Sequence, residues 1–476
     1  ISYRPINNLS VGQATTLALD PKSNAVYTGL QDNGTMRGTR GYVPGRSPLD
    51  AWKSINGGDG SFVALDPRED LDLVYAASQF GAHTAIVQKT GARYRAAAPR
   101  AKGLDPLRYN WISPFLVSPY LPDEVFVGSQ YLHRSFDRGK TWTTISPDLT
   151  RNRPNGDVPY STIKDVSESP LRFGLMIVGA DDGRVTLTPD GGYQWIDIPT
   201  PAPGKWVTRV IASQHDAETL YCAQSGYRED DFAAYLWRSA DRGKTWSSIV
   251  GDLPAETINV VREDPKEPRT LYNGTDLGVW VTRDAGAHWE PLGTDMGHLP
   301  VHDLAIHAKD DEIVIATHAR GLMTTALRPL RLVDAGVRKE ALKVLDAPDV
   351  RISSSAAYPY REIWGGVDEE RPVAKLALWT GTAGTATIEL VDEKGGILVT
   401  ETTLLRRGYN EATLGLTVRP GKPLPAGVIP TPPKTGEEAL RDPYAESRPV
   451  YVAPGAYTLR VRVGAATADS KLRIAA

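Results

Sequence analysis

Short apolar stretches alternate with turn-forming residues along most of this chain, and one combination recurs. An apolar strand runs into Asp-Pro or a similar turn, and after a short gap a second strand of the type Val-Tyr-x-Gly follows. It appears as Leu17-Ala-Leu-Asp-Pro21 with Val26-Tyr-Thr-Gly29, as Val63–Pro67 with Val74-Tyr75, and as Leu116–Pro119 with Val125–Gly128. Further copies begin near Ser169, Ser213, Asp264 and His307. Taking Asp20, Asp66 and Ser118 as the first three anchors, the steps are 46, 52, 51, 44, 51 and 43 residues. Each step accommodates four short strands, so the spacing predicts seven four-stranded units over residues 1–330. The last unit offers only Leu304–His307, Ile313–Thr317 and Gly321–Thr325. A ring left open exposes an unpaired edge, so Ile1–Ile6 is expected to supply the missing strand.

After Leu330 the repeat stops. Residues 331–371 read as a connector with some packed structure. From Pro372 apolar–polar alternation returns in Ala374–Trp379, Ala386–Leu390, Ile397–Thr400, Ala412–Leu416, Ala456–Val463 and Lys471–Ile474. That pattern predicts an immunoglobulin- or fibronectin-like β-sandwich over residues 372–476. The Pro420–Pro449 insertion holds eight prolines and reads as a long irregular loop.

Composition supports an all-β chain rich in turns, with 44 Gly, 36 Pro and 11 Trp and few helix-period segments. The 54 Lys and Arg nearly balance 57 Asp and Glu, which gives no electrostatic case for nucleic acid or an anionic membrane. No run of 18 apolar residues occurs, so no membrane span is expected. The single cysteine, Cys222, excludes an intrachain disulfide. It lies in the apolar Thr219–Ala223 stretch and is expected to be buried and inert. The chain starts at Ile1 without Met or a leader, which reads as a product whose export signal is already gone.

A second motif lies in phase with the first. Ser135-Phe-Asp-Arg-Gly-Lys-Thr-Trp142 returns as Thr188–Trp195, Ser239–Trp246 and Thr282–Trp289, four copies of Ser/Thr-x-Asp-x-Gly-x-x-Trp within 155 residues. Asp and Gly suit a tight turn, the hydroxyl and carboxylate can bond the turn's own backbone, and the Trp packs between neighbouring sheets. This motif resembles the Asp-box, or bacterial neuraminidase repeat, of sialidases, sortilin-type receptors and xyloglucan-hydrolysing enzymes. The resemblance implies a β-propeller, seven-bladed by the repeat count above, with the boxes on the face away from the ligand.

The opposite, top face is then built from the loops Gln31–Gly34, Gln79–Gly81, Gln130-Tyr131, Asp181–Gly183, Gly226–Asp231, Asp276–Gly278 and His318–Gly321, together with the crossovers between units. Candidate ligand-binding residues there are Gln31, Asn33, Arg37, Trp111, Gln130, Asp181, Asp182, Arg228, Asp276, His318 and Arg320. Asp32 and Asp59 fall on the same face. Two carboxylates about 6.5–9.5 Å apart suit inverting glycoside hydrolysis, and two aspartates that bond loop amides are the alternative. Arg37, Arg108, Arg209, Arg228 and Arg320 are candidates to ring an acidic ligand or to form surface ion pairs. Successive strand residues such as His302 and Asp303 point to opposite sides, so no zinc site is expected. No cofactor is called for. Calcium at Asp181-Asp182 or Asp230-Asp231 is the one metal left open.

Gly29–Gly34, Gly57–Gly60, Ser146–Leu149, Ala180–Gly183 and Thr317–Gly321 together resemble the exported bacterial proteins labelled sortilin-like or glycosyl-hydrolase-like, over roughly residues 1–330. That resemblance implies an extracellular or periplasmic protein with a polysaccharide or peptide ligand and an upstream propeller domain or chain. It also places Asp32 where the tandem-propeller xyloglucan hydrolases carry a catalytic Asp. A peptide-binding module and a structural surface protein are the alternatives to an enzyme.

Overall fold

The computed structural model describes residues 3–6, 12–41, 51–68, 70–99, 103, 105–153, 158–293, 296–334, 336–352, 372–418 and 450–475. It divides into two compact units, Ser2–Ala326 and Leu327–Ala476. Within the described residues the first unit contains seven four-stranded antiparallel sheets. In chain order these span Ala14–Asn56, Val63–Arg95, Phe115–Thr144, Ile163–Asp197, Trp206–Ser248 and Ile258–Pro291, and the seventh combines Val301–Ala326 with Arg4–Pro5. Each inner strand touches the inner strand of the next sheet, and the seventh touches the first. The ring is a β-propeller.

Closure uses the N-terminus as the strand arithmetic requires. Arg4 and Pro5 pair with Thr324 and Met323 as the outer strand of the seventh sheet. Pro5 is tolerated because an outer strand needs no amide on its free side. Ile6 follows, fully buried among Ala14, Leu30, Val314 and Leu322. On the other face Arg40 of the first sheet reaches Glu312 at 2.6 Å and Asp310 at 2.5 Å in the seventh.

The repeat anchors mark the turns after the inner strands. Asp20, Asp66, Ser118, Ser169, Ser213 and Asp264 each donate their amide to a carbonyl at the start of the next strand, at 2.8–3.1 Å. The glycine ending the second strand also has a physical reason. A Cβ on Gly179 would stand 2.4 Å from Val207, and one on Gly128 2.8 Å from Ile163. Glycine there lets the next inner strand pack close.

The Asp-boxes sit between the third and outer strands. In Ser135–Trp142 the Ser135 hydroxyl accepts the Gly139 amide at 2.8 Å, and Asp137 accepts the Thr141 amide at 2.8 Å and hydroxyl at 2.7 Å. Asp241 repeats this with Thr245 at 2.9 and 2.6 Å. Trp142, Trp195, Trp246 and Trp289 pack into the cores between consecutive sheets. The first sheet has no Asp-box, yet Trp52 fills the corresponding place before its outer strand, packed across Gly38.

These turns and two buried imidazoles make the fold acid-sensitive in a defined order. Burial pushes His83 and His133 down to about 4. The unfolded chain therefore takes up protons below about 6.5 that the folded one refuses, and stability falls from there toward pH 4. Asp241 is held down at about 2, first by the Thr245 hydroxyl. Its contribution is present above the unfolded carboxylate value and is lost between about pH 4 and 2. Urea midpoints measured from pH 7.5 to 2.5 are expected to decline in these two stages. His83→Gln should shrink the first without abolishing it, because His133 remains, and a flat profile down to pH 4 would refute this account.

The second unit holds a three-stranded sheet, Leu342–Asp346, Val373–Thr380 and Gly408–Gly415, and a five-stranded sheet. In the latter, Val350–Arg351 pairs with Ala466–Ala475, followed by Gly455–Val463, Gly384–Val391 and Ile397–Leu405. Their inner faces share one core that includes Leu376, Ile388, Leu414, Leu459 and Leu472. Part of the 331–371 stretch thus contributes strands to these sheets, because Leu342 and Val344 bury their side chains against that core. The Pro420–Pro449 insertion lies wholly outside the described residues.

Candidate functional site at the channel mouth

The loops joining second to third strands, and the crossovers entering each inner strand, share one face of the propeller. At this face the inner strands carry a common irregularity. β-Bulges fall at Thr15, Lys164, Thr208, Asn259 and His302, the entry ends of the first, fourth, fifth, sixth and seventh inner strands. A bulge re-aims its side chain and tightens the local twist. Here it sets His302 and Asn259 at the mouth of the central channel beside His318 and Asp276, while Thr15 turns its hydroxyl onto the Gly60 and Ser61 carbonyls.

Directly below them a charged layer crosses the channel. Asp303 accepts Arg262 at 2.6 Å, Arg209 at 3.2 Å, its neighbour Leu304's amide at 3.0 Å and the Leu17 amide at 3.1 Å. Asp165 accepts the Val210 amide at 2.9 Å and lies 3.5 Å from Arg209. Burial alone would lower Arg209, but Asp165 and Asp303 outweigh it and hold the guanidinium above its ordinary range. The first, fourth, fifth, sixth and seventh sheets are joined in this layer.

Above it, His302 stacks on His318 with ring centroids 4.3 Å apart, and burial, then His318, drives His302 down to about 3. Two neutral rings can stack where two imidazoliums would repel. Asn259 donates to Asp276 at 2.9 Å. Arg228 lies 3.7 Å from the Trp206 ring centre, and Tyr160 is 6.3 Å from Trp206 on centroids. Tyr227 and Phe232 stand beside them, 56% and 51% exposed and 5.9 Å apart.

Several sequence candidates have other roles. Asp181 and Asp182 are buried. Asp181 accepts the Thr162 amide at 2.8 Å and Asn110 at 3.1 Å, while Asp182 accepts the Arg151 amide at 2.6 Å. Buried Gln130 accepts the Arg108 amide at 2.7 Å and donates to Pro106 at 3.0 Å. These three side chains hold loops through buried hydrogen bonds. Asp231, from the other acidic pair, is tied to Lys205 at 2.7 Å and Tyr235 at 2.6 Å. Arg37 sits within the third strand and donates to Tyr27 at 3.0 Å, away from the loop. Arg108 pairs with Asp148 at 2.9 Å, so the five arginines do not converge on one point.

Asp32 and Asp59 do meet. Asp32 is exposed in a left-handed turn, φ 62°, and its amide donates to the Asp59 carboxylate at 3.0 Å. Asp59 is itself held by Gln79, which accepts its amide at 3.1 Å. Asp59 thus organises the loop that presents Asp32. Gln31 and Asn33 belong to the same loop, with Asn33 donating to the Gln31 carbonyl at 3.0 Å. Trp111 is half-buried, its carbonyl accepting the Phe80 amide at 3.3 Å. Arg320 is exposed beside Thr317, and His318 and Asp276 line the mouth as described.

The bulged ring and charged layer escaped the sequence reading, although a signal was present. Thr15 lies five residues before Asp20, Lys164 five before Ser169, Thr208 five before Ser213, Asn259 five before Asp264 and His302 five before His307. A polar residue five positions before each of these anchors marks the bulge.

Residues 236–249, around the fifth sheet's Asp-box, match the family model of the BNR-Asp box repeat. Comparison with curated proteins returned no match. Among solved structures, the GH74 xyloglucanase from Xanthomonas campestris is similar to this chain at a TM-score of 0.52 and 16% identity, over 88% of this chain and 60% of that one. YCF48 from Cyanidioschyzon merolae gives 0.49 at 12% identity, over 68% and 98% of the two chains. YCF48 bound to D1 peptide gives 0.47 at 10% identity, over 68% and 95%. The chain spans about 60% of the xyloglucanase's length, and at such identities the likeness is one of fold. Motif, sheet order and fold likeness agree: the chain is a β-propeller protein carrying the BNR-Asp box repeat.

Proposed function

We propose that this propeller recognises a glycan on its top face, on the rim around Trp206. The observation that carries the reading is the exposed Tyr227–Phe232 pair beside Trp206, Tyr160 and Arg228. Exposed aromatic rings beside hydrogen-bonding groups suit the apolar faces and hydroxyls of sugars. The Asp-box face also exposes Tyr120, Phe136, Phe173 and Tyr193. The turns there use their carboxylates internally, as Asp137 and Asp190 do, which leaves fewer groups to orient a ligand. The setting that goes with this reading is extracellular or periplasmic, with a second propeller completing the cleft. No helix among the described residues is long and apolar enough to cross a membrane.

Tyr227→Ala with Phe232→Ala is expected to weaken polysaccharide binding at least about tenfold, the loss of roughly 1.4 kcal/mol, with an unchanged thermal midpoint. Isothermal titration against a panel of neutral and acidic polysaccharides checks this, and unaltered affinity would sink it. A hydrolytic reading is favoured by one feature, the exposed Asp32 carboxylate held in a strained turn by Asp59. Reducing-sugar release that Asp32→Asn abolishes without unfolding the protein would establish it.

A further inference from the structure

One cation at the channel mouth touches no carboxylate directly among the described residues. Lys164 projects from the fourth inner strand's bulge, and among the described residues it makes no hydrogen bond or ion pair. It is half-buried and keeps some access to the mouth. Asp165 and Asp181 act on it at longer range, while their direct contacts are elsewhere: Asp165 with Arg209, and Asp181 with Thr162 and Asn110. Arg228 adds a second cation within electrostatic reach, poised over Trp206. The layer beneath is short of acceptors as well, since among the described residues the Thr208 hydroxyl and the Arg209 Nε are buried without partners. Burial, then Arg209, lowers Lys164 to about 8, so the ammonium is still mainly charged at neutral pH.

An ammonium without a direct anionic contact at such a mouth gains when an anion is brought against it. We propose that the channel mouth at Lys164 and Arg228 is a carboxylate subsite that takes a uronic-acid residue of the bound glycan. The proposal rests on the glycan reading above and gives it a substrate class. One lysine and one arginine match a single carboxylate, with its two oxygens and one charge. Trp206, Tyr160 and Tyr227 lie beside Arg228 to accept the sugar ring. The bulge has a purpose on this account, because it turns Lys164 toward the mouth and away from the strand's regular alternation.

The test titrates the full chain with polygalacturonate and with the same polymer after carboxyl reduction. The native protein is expected to bind the acidic form about tenfold more tightly, the size of one charged hydrogen bond. Lys164→Met should remove that preference and leave affinity for the reduced polymer unchanged. Arg228→Gln, at an exposed position, should reduce the preference without a change in thermal midpoint and keeps the test open should Lys164→Met fail to fold. Equal affinity for the two polymers, or a preference that survives both substitutions, overturns the carboxylate subsite while the glycan reading stands. Binding of neither polymer, nor of any neutral polysaccharide, overturns both. Lys164-dependent capture of polyglutamate with no polysaccharide binding replaces the glycan by an acidic peptide and overturns the uronate assignment.

Discussion

Asp303→Asn is expected to destabilise the propeller by about 3–5 kcal/mol, the usual loss when one partner of a buried ion network is removed. Asp303 is nearly inaccessible, its side chain 4% exposed, and it serves two guanidinium groups from the fifth and sixth sheets. It also accepts amides from its own neighbour Leu304 and from Leu17 in the first sheet. Asparagine keeps the shape but replaces one acceptor oxygen with a donor facing other donors. Arg209 and Arg262 then keep their charges with only Asp165 beside them. Urea denaturation followed by tryptophan fluorescence reads the effect as a lower midpoint. Arg209→Met added to Asp303→Asn should recover part of the loss, since it removes one of the stranded charges, and this coupling separates the network from generic packing damage. A midpoint equal to the native one would mean that channel water satisfies both arginines.

Ile6→Ala is expected to cost about 2–5 kcal/mol, the range for emptying a well-packed aliphatic site. The residue is fully buried in the junction between the seventh and first sheets, and its amide bonds the Leu322 carbonyl at 3.1 Å. The two-residue strand Arg4–Pro5 adds little pairing of its own. Ile6 is therefore the main apolar anchor of the closing segment. Losing it should lower the denaturation midpoint and raise aggregation as the seventh sheet's edge comes free, visible by light scattering on mild heating. Ile6→Val should cost only about 0.5–1.5 kcal/mol. Equal stability of Ile6→Ala and the native protein would show that Arg40, bound to Asp310 and Glu312, closes the ring unaided.

Much of the architecture was readable because it is local. Ser135, Asp137 and Gly139 satisfy one another within five residues, so their spacing alone specifies the hairpin. The 43–52-residue rhythm of the anchors records one sheet per repeat, and the strand missing after Thr325 pointed to the N-terminus. Which loops share a face follows from strand order, and that placed Asp32 and Asp59 together. Trp52 was missed because it has the packing role of an Asp-box tryptophan without the box.

What the sequence by itself determined is the repeated sheet unit, its turns and the face on which function is sought, because each depends on contacts within about one repeat. Tertiary structure alone decided which polar residues are committed and which remain free. Asp303 meets Leu17 across 286 positions and Arg209 across 94. Asp181 is buried while Lys164, in the same sheet, makes no hydrogen bond or ion pair among the described residues. No spacing encodes such pairings, because ring closure brings together inner strands that are remote in sequence. The competition between desolvation and pairing is then settled residue by residue in the channel.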